Sequence, residues 1–234
     1  MKKLTLLLLS ALFLTAAGNS QTLEEIVQKY SKANKRDKAA ELSTVKITGK
    51  MSAMGMEMPM TMWMKNPDKI KIVTSINGQD MIQVSDGVKG YRTNPMTGST
   101  EPEAMTPEEV KQTENSNVFK NYMENYLKNG QLTLEGQETV NDKPAFKIKA
   151  SLDGGNIVYM FIDKESYLLV KTSATVNQGG MTVTVDSYPA DYTDNNGLLL
   201  PMKTTSSTGG MDFSIVFEKV EVNIPMEDSI FMVK

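Results

Sequence analysis

Methionine occupies every second position from Met54 to Met64. Side chains along a β-strand alternate between its two faces, so a period of two marks this segment as strand. The same spacing on a helix would scatter the residues around its axis. Unbroken, the strand would line one face with thioethers over roughly 33 Å, at about 3.3 Å per residue. Gly55 and Pro59 argue against continuity. A hairpin near Gly55 leaves Met58, Met60, Met62 and Met64 as the stripe, alternating with Pro59, Thr61 and Trp63.

The same period governs most of the remaining chain. Val45 to Met51 reads as a strand, as do Ile70 to Ile76, Met81 to Val84 and Val88 to Thr93. Asn66-Pro67-Asp68, Asn77-Gly78 and Asp86-Gly87 fall between them, and Asn-Gly is a strong two-residue hairpin signal. Later strands are Leu132 to Leu134, Ala145 to Leu152, Ile157 to Ile162, Tyr167 to Ala174, Met181 to Tyr188, Leu198 to Thr205 and Phe213 to Val222. Asn141-Asp142, Asp153 to Gly155, Asn177 to Gly180, Asn195 to Gly197 and Gly209-Gly210 supply the turns. Eleven or twelve short strands joined this way make one large antiparallel sheet or open barrel. Apolar residues on both faces of the Ile70–Val84 hairpin indicate a sheet partly covered on both sides.

Two helical regions interrupt the strands. Thr22 and Glu25 have capping-box spacing, and Leu23, Ile26, Val27 and Tyr30 form one helical stripe. Ser31 to Asp37 reads as a bend, with a further turn at Ala39 to Leu42. Thr106-Pro107 with Glu109 opens a second helical region running to about Asn129. Val118, Phe119, Tyr122, Met123, Tyr126 and Leu127 give it an apolar stripe, and Asn129-Gly130 ends it.

Lys2 and Lys3 precede an apolar run from Leu4 to Leu14, and Ala16, Ala17, Gly18 and Ser20 come after it. This is the pattern of a secretory signal, with cleavage expected before Gln21 and Ala17/Gly18 as the alternative. The run is too short to span a membrane. Residues 1–20 are therefore read as a signal peptide, and residues 21–234 as a single exported domain. The signal holds two lysines and no acid, so a chain of net charge −3 matures to −5. That balance argues against nucleic acid as a partner.

The chain has no Cys and no His. Disulfides, thiol nucleophiles, Cys/His zinc sites and imidazole bases are thereby excluded. There is no G-x-S-x-G, P-loop or G-x-G-x-x-G. Asp191 to Gly197 fails calcium-loop spacing, because Gly197 at loop position 6 puts Tyr192 at position 1. We expect no enzyme, no cofactor and no resident metal. The methionines remain. Flexible, polarisable side chains specify packing poorly, and they suit a surface that must fit variable apolar shapes. The competing readings are an ordinary core-facing strand and a thioether site for Cu(I).

Several segments together resemble the periplasmic outer-membrane lipoprotein carrier and sorting family (LolA-like). They are Met62 to Ile72 (MWMKNPDKIKI), Val84 to Tyr91 (VSDGVKGY), Gly136 to Ile148 (GQETVNDKPAFKI) and Ile162 to Leu168 (IDKESYL). Asp191-Tyr192, Gly197 to Pro201 (GLLLP) and Asp228 to Phe231 (DSIF) complete the order, spanning nearly all of residues 22–232. Where the carriers have Arg-Pro at a strand end, this chain has Lys65-Asn66-Pro67, and Arg36 and Arg92 are its only arginines.

The resemblance implies an incomplete antiparallel β-barrel of about 11 strands, curved around an apolar cavity and covered by helices. It implies a monomeric carrier of lipid or acylated lipoprotein, loaded by an inner-membrane ABC transporter and unloaded to an outer-membrane acceptor; the alternative is a non-enzymatic envelope interaction module that reuses the fold. Each buried CH₂ is worth about 0.8 kcal/mol, so acyl chains do not cross water unshielded. The expected site comprises the wall residues Met58, Met60, Met62, Trp63, Met64, Ile70, Ile72 and Met81. Phe119, Tyr122, Met123 and Tyr126 are the expected lid.

Overall fold

The computed structural model describes residues 21–95, 99–152, 155–178 and 181–232. Residues 1–20, expected to be a signal peptide, and parts of the turns read at 153–155 and 177–180, lie outside the described residues. Thirteen strands form one antiparallel sheet. The first six are β1 (Thr44–Ala53), β2 (Met56–Lys65), β3 (Lys69–Ile76), β4 (Gln79–Ser85), β5 (Gly90–Asn94) and β6 (Ser99–Ala104). The rest are β7 (Leu132–Val140), β8 (Lys143–Ser151), β9 (Ile157–Asp163), β10 (Leu169–Gln178), β11 (Met181–Asn195), β12 (Leu198–Thr208) and β13 (Met211–Val222).

Strand order is β6-β5-β4-β3-β2-β1-β13-β12-β11-β10-β9-β8-β7. This is sequence order taken as a cycle, joined at β1–β13 and cut between β6 and β7. Helices α3 (Pro107–Glu114) and α4 (Tyr122–Lys128) connect the two free edges in sequence. The result is a mainly β, unclosed barrel. The strand expectation falls short by β6, whose Ser-Thr-Glu-Pro-Glu carries no apolar alternation. Its Pro102 belongs at an edge, where a missing N–H breaks no ladder bond.

Local chemistry explains the turns. Asn77 and Gly78 both have positive φ, 51° and 78°, as the favoured two-residue hairpin requires. Met54 and Gly55 turn the β1–β2 hairpin where expected. Asp86 Oδ1 accepts the Val88 and Lys89 amides at 3.0 and 2.8 Å, and these bonds hold its carboxyl below the usual range. Asp194 Oδ1 accepts the Gly197 amide at 2.8 Å, closing the two-residue Asn196-Gly197 turn, while Asp191 to Asn195 are the end of β11.

The first helix, α1 (Leu23–Ala33), has both bonds of the Thr22/Glu25 capping box. A short α2 (Arg36–Glu41) comes next. The single helical region expected over 106–129 is instead two helices with an irregular segment, 115–121, between them. Asn115, Ser116 and Asn117 cause the break, since such side chains compete with helical backbone bonds. Asn117 Oδ1 accepts the Phe119 amide at 3.0 Å, and Asn121 caps α4 through the Glu124 amide. Val118 and Phe119 therefore do not belong to a helical stripe.

Two cores lie between the sheet's inner face and these helices. One gathers Ala39, Leu42, Val45, Ile47, Met60, Met62, Met64, Ile70, Phe119, Leu198 and Leu200. The other gathers Ile26, Val27, Tyr30 and Met123 with Leu132, Phe146, Ile148, Ala150 and Ile162. Asn34 fastens the helical cover to the sheet, donating to the Tyr30 and Tyr167 carbonyls at 2.9 and 3.3 Å. At the β1–β13 junction a bulge between Thr48 and Gly49 brings backbones close. A β-carbon on Gly49 would lie 2.2 Å from the Val216 carbonyl oxygen.

Candidate functional site

Met58, Met60, Met62 and Met64 all point inward and are buried, while Pro59 between them is exposed. Register extends their row sideways. Met62 pairs with Ile47 on one side and Ile72 on the other. Met64 pairs with Val45 and Ile70, and Met60 with Gly49 and Thr74. Met81, opposite Thr74, shares this face and is partly buried. Phe119 reaches the same cluster from the irregular segment.

Trp63 does not join them. Period two puts it on the outer face, between Lys46 and Lys71, whose ammonium groups lie 5.8 and 6.0 Å from its ring centre. Met123 and Tyr126 pack in the second core, over β7–β9. Tyr122 is partly buried, 6.2 Å from the Tyr126 ring, and its hydroxyl donates to the Glu114 carbonyl. Burial, with Glu114 nearby, drives the Tyr122 phenol well above its usual pKa. The expected lid residues are therefore divided: Phe119 covers the methionine wall, and α4 covers the other half.

The segment carrying Phe119 is held by polar side chains. Asn117 Nδ2 donates to the Pro67 carbonyl at 2.8 Å. Lys120 Nζ bridges Asp68 at 2.7 Å and Glu114 at 2.5 Å. Burial by itself would lower the Lys120 pKa, but these two partners outweigh it and raise it. The anchor is thus the Asn66–Asp68 turn between β2 and β3.

Away from the helices the inner face continues as a row of residues that are partly buried, apart from the buried Ser206. Register places Met51, Phe213, Ser206, Ser187, Val185, Ala174 and Val158 there. Ser187 and Ser206 satisfy each other at 2.8 Å. Met54, Met56 and Met211, at the β1–β2 and β12–β13 hairpins, are exposed at 73%, 48% and 48%. Sequence reasoning missed this end, because Phe213 joins the face of Met51 only through the long-range β1–β13 pairing. It also missed an outer-face cleft, lined by none of the methionines of the stripe.

This architecture is a LolA-like fold. The chain is similar to the crystal structure of a LolA superfamily protein from Nitrosomonas europaea, with a TM-score of 0.59 and 11% identity over 92% of this chain and 99% of that one. It is similar to a putative outer membrane lipoprotein-sorting protein domain from Vibrio parahaemolyticus, at TM-score 0.61 and 12% identity over 90% and 97%. A DUF1329 family protein from Desulfovibrio piger gives 0.59 and 11% over 88% and 97%. No protein-family model matches the sequence, and no curated protein matches it significantly. Among the described residues, no helix is long and apolar enough to cross a membrane.

Proposed function

We propose that the protein is a non-enzymatic, periplasmic carrier that shelters lipid or lipoprotein acyl chains against the inner face of its open barrel. One observation carries this reading: the inner apolar surface runs from a buried methionine wall to a partly exposed mouth. The mouth is rimmed by Met54, Met56 and Met211. In this closed form Phe119 occupies the wall, and a chain would enter as segment 115–121 lifts. Methionine suits such a wall, because unbranched thioethers repack around differing shapes at low cost. The shared fold with a putative lipoprotein-sorting domain supports acyl chains as cargo. Receipt from an inner-membrane ABC transporter and delivery to an outer-membrane acceptor are the corresponding partners.

Binding of a dansylated undecanoic acid tests the reading. The expected result is a saturable blue shift of the dansyl emission. Phe213→Glu puts a charge on the partly exposed mouth and should weaken binding by about tenfold or more. Absence of binding to the parent protein, or undiminished binding to the folded variant, would overturn it.

A further inference from the structure

The outer face of the first meander carries a separate cleft of about 660 Å³, a size typical of small-molecule sites. Its floor is Ile82, Val84 and Tyr91, its far wall is Ile230 and Met232, and Pro102 of the edge strand closes one side. Ile82 and Val84 are the residues that make the Ile70–Val84 hairpin apolar on both faces. Ile230 belongs to a single 3-10 turn, Asp228–Phe231, and Met232 follows it directly. The turn is moored by Asp228 to Lys65 at 2.7 Å and Lys69 at 3.0 Å. Lys65 also donates to the Met226 carbonyl at 3.1 Å.

The charges in this cleft are unevenly placed. Lys71 lines it opposite Val84, and among the described residues it makes no ion pair. Arg92 also lines it but is taken by Glu103 and Glu109. Asp80 lies four residues along β4 from Val84, about 13 Å away along the strand, and accepts the Ser75 hydroxyl. An apolar cleft thus has at one end a cation whose only charge partner among the described residues is the Trp63 ring face, 6.0 Å away, and at the other a carboxylate.

We propose that this cleft binds a small anionic amphiphile, an apolar body bearing one carboxylate, with the carboxylate on Lys71. The apolar body lies along Ile82 and Tyr91 against Ile230. Asp80 repels the carboxylate from the far end, which gives the ligand one orientation. A charge-assisted bond at a partly desolvated site is stronger than a neutral one, so charge decides which amphiphile is retained. Cleft and methionine wall lie on opposite faces of the same sheet, so occupancy of one does not require the other.

Methionine-methyl NMR separates the two sites, with Met232 reporting the cleft and Met60, Met62 and Met64 the inner face. Titration with decanoate should shift the Met232 resonance saturably. Lys71→Gln should weaken that response by about tenfold or more, Lys71→Arg should keep it, and decyltrimethylammonium should not reproduce it. Unchanged inner-face resonances show that each variant is folded. A Met232 titration unaffected by Lys71→Gln would overturn the proposal. So would decanoate shifts confined to the inner-face methyls, which would leave the inner-face reading standing.

Discussion

Asp163 is nearly buried, yet its carboxylate is held charged. One oxygen accepts the Ser166 amide and hydroxyl, each at 2.7 Å, and the Glu165 amide at 3.2 Å. Burial would raise its pKa, but these bonds outweigh it and lower it. A depressed folded pKa stabilises fully above the unfolded value of about 3.9. That contribution is lost as pH falls through the folded value. Asp163→Asn should therefore cost about 1–2 kcal/mol near neutral pH. Urea denaturation should show the gap between variant and parent closing as pH drops below about 4. Gly49 tests a different constraint. A methyl group there meets the Val216 carbonyl, so Gly49→Ala should lower stability by about 2–3 kcal/mol, read as a shifted denaturation midpoint with unchanged slope. The bulge that makes Gly49 necessary was not legible in the sequence, because it depends on pairing between the first and last strands.

The elements divide by what encodes them. Both helix starts were legible, since Thr22 with Glu25 and Thr106 with Pro107 and Glu109 are local signals, and both capping boxes form. The inward methionine stripe was legible for the same reason, as period two needs no partner strand. The outward position of Trp63 follows from that period, and grouping it with its neighbours overrode the rule. The break at Asn115–Asn117 was obscured by an apolar spacing that continues across it by coincidence. That break creates the segment that places Phe119 on the methionine wall. Lys120→Met removes both of its ion pairs and should speed amide exchange across residues 117–120 by about tenfold, leaving β1 and β2 protected. Because the Lys120 pKa is raised, its contribution is intact below the ordinary lysine value of about 10.4. It fails only as pH climbs through the higher folded value, so uptake should show no Lys120-dependent change between pH 6 and 9. The stripe can be tested as a unit. Replacing Met58, Met60, Met62 and Met64 together with Leu conserves apolar volume, at about 1.5 kcal/mol or less per site. Fatty-acid binding should persist in a folded quadruple variant, and its loss would count against an adaptable wall. Any Cu(I) affinity due to these thioethers would disappear.

On the scale of the whole molecule, the cyclic strand order explains how so long a sheet shelters an interior without closing. The chain meanders outward from β1 to β6, crosses through α3, segment 115–121 and α4, and meanders back from β7 to β13. The link between the free edges is also the one that places Phe119 on the methionine wall. Meander and turns were readable strand by strand. The β1–β13 joint and the mouth were not, since they arise from residues more than 150 positions apart.

The central claim is that this interior carries an acyl chain. Native mass spectrometry of residues 21–234, purified from the cells that produce the protein and paired with lipid extraction of the same sample, tests it most directly. The expected result is an adduct of lipid or acyl-peptide mass, which exchanges for added fatty acid. A bare chain that takes up neither added fatty acid nor phospholipid would contradict the claim and leave the open barrel as a scaffold for some other purpose.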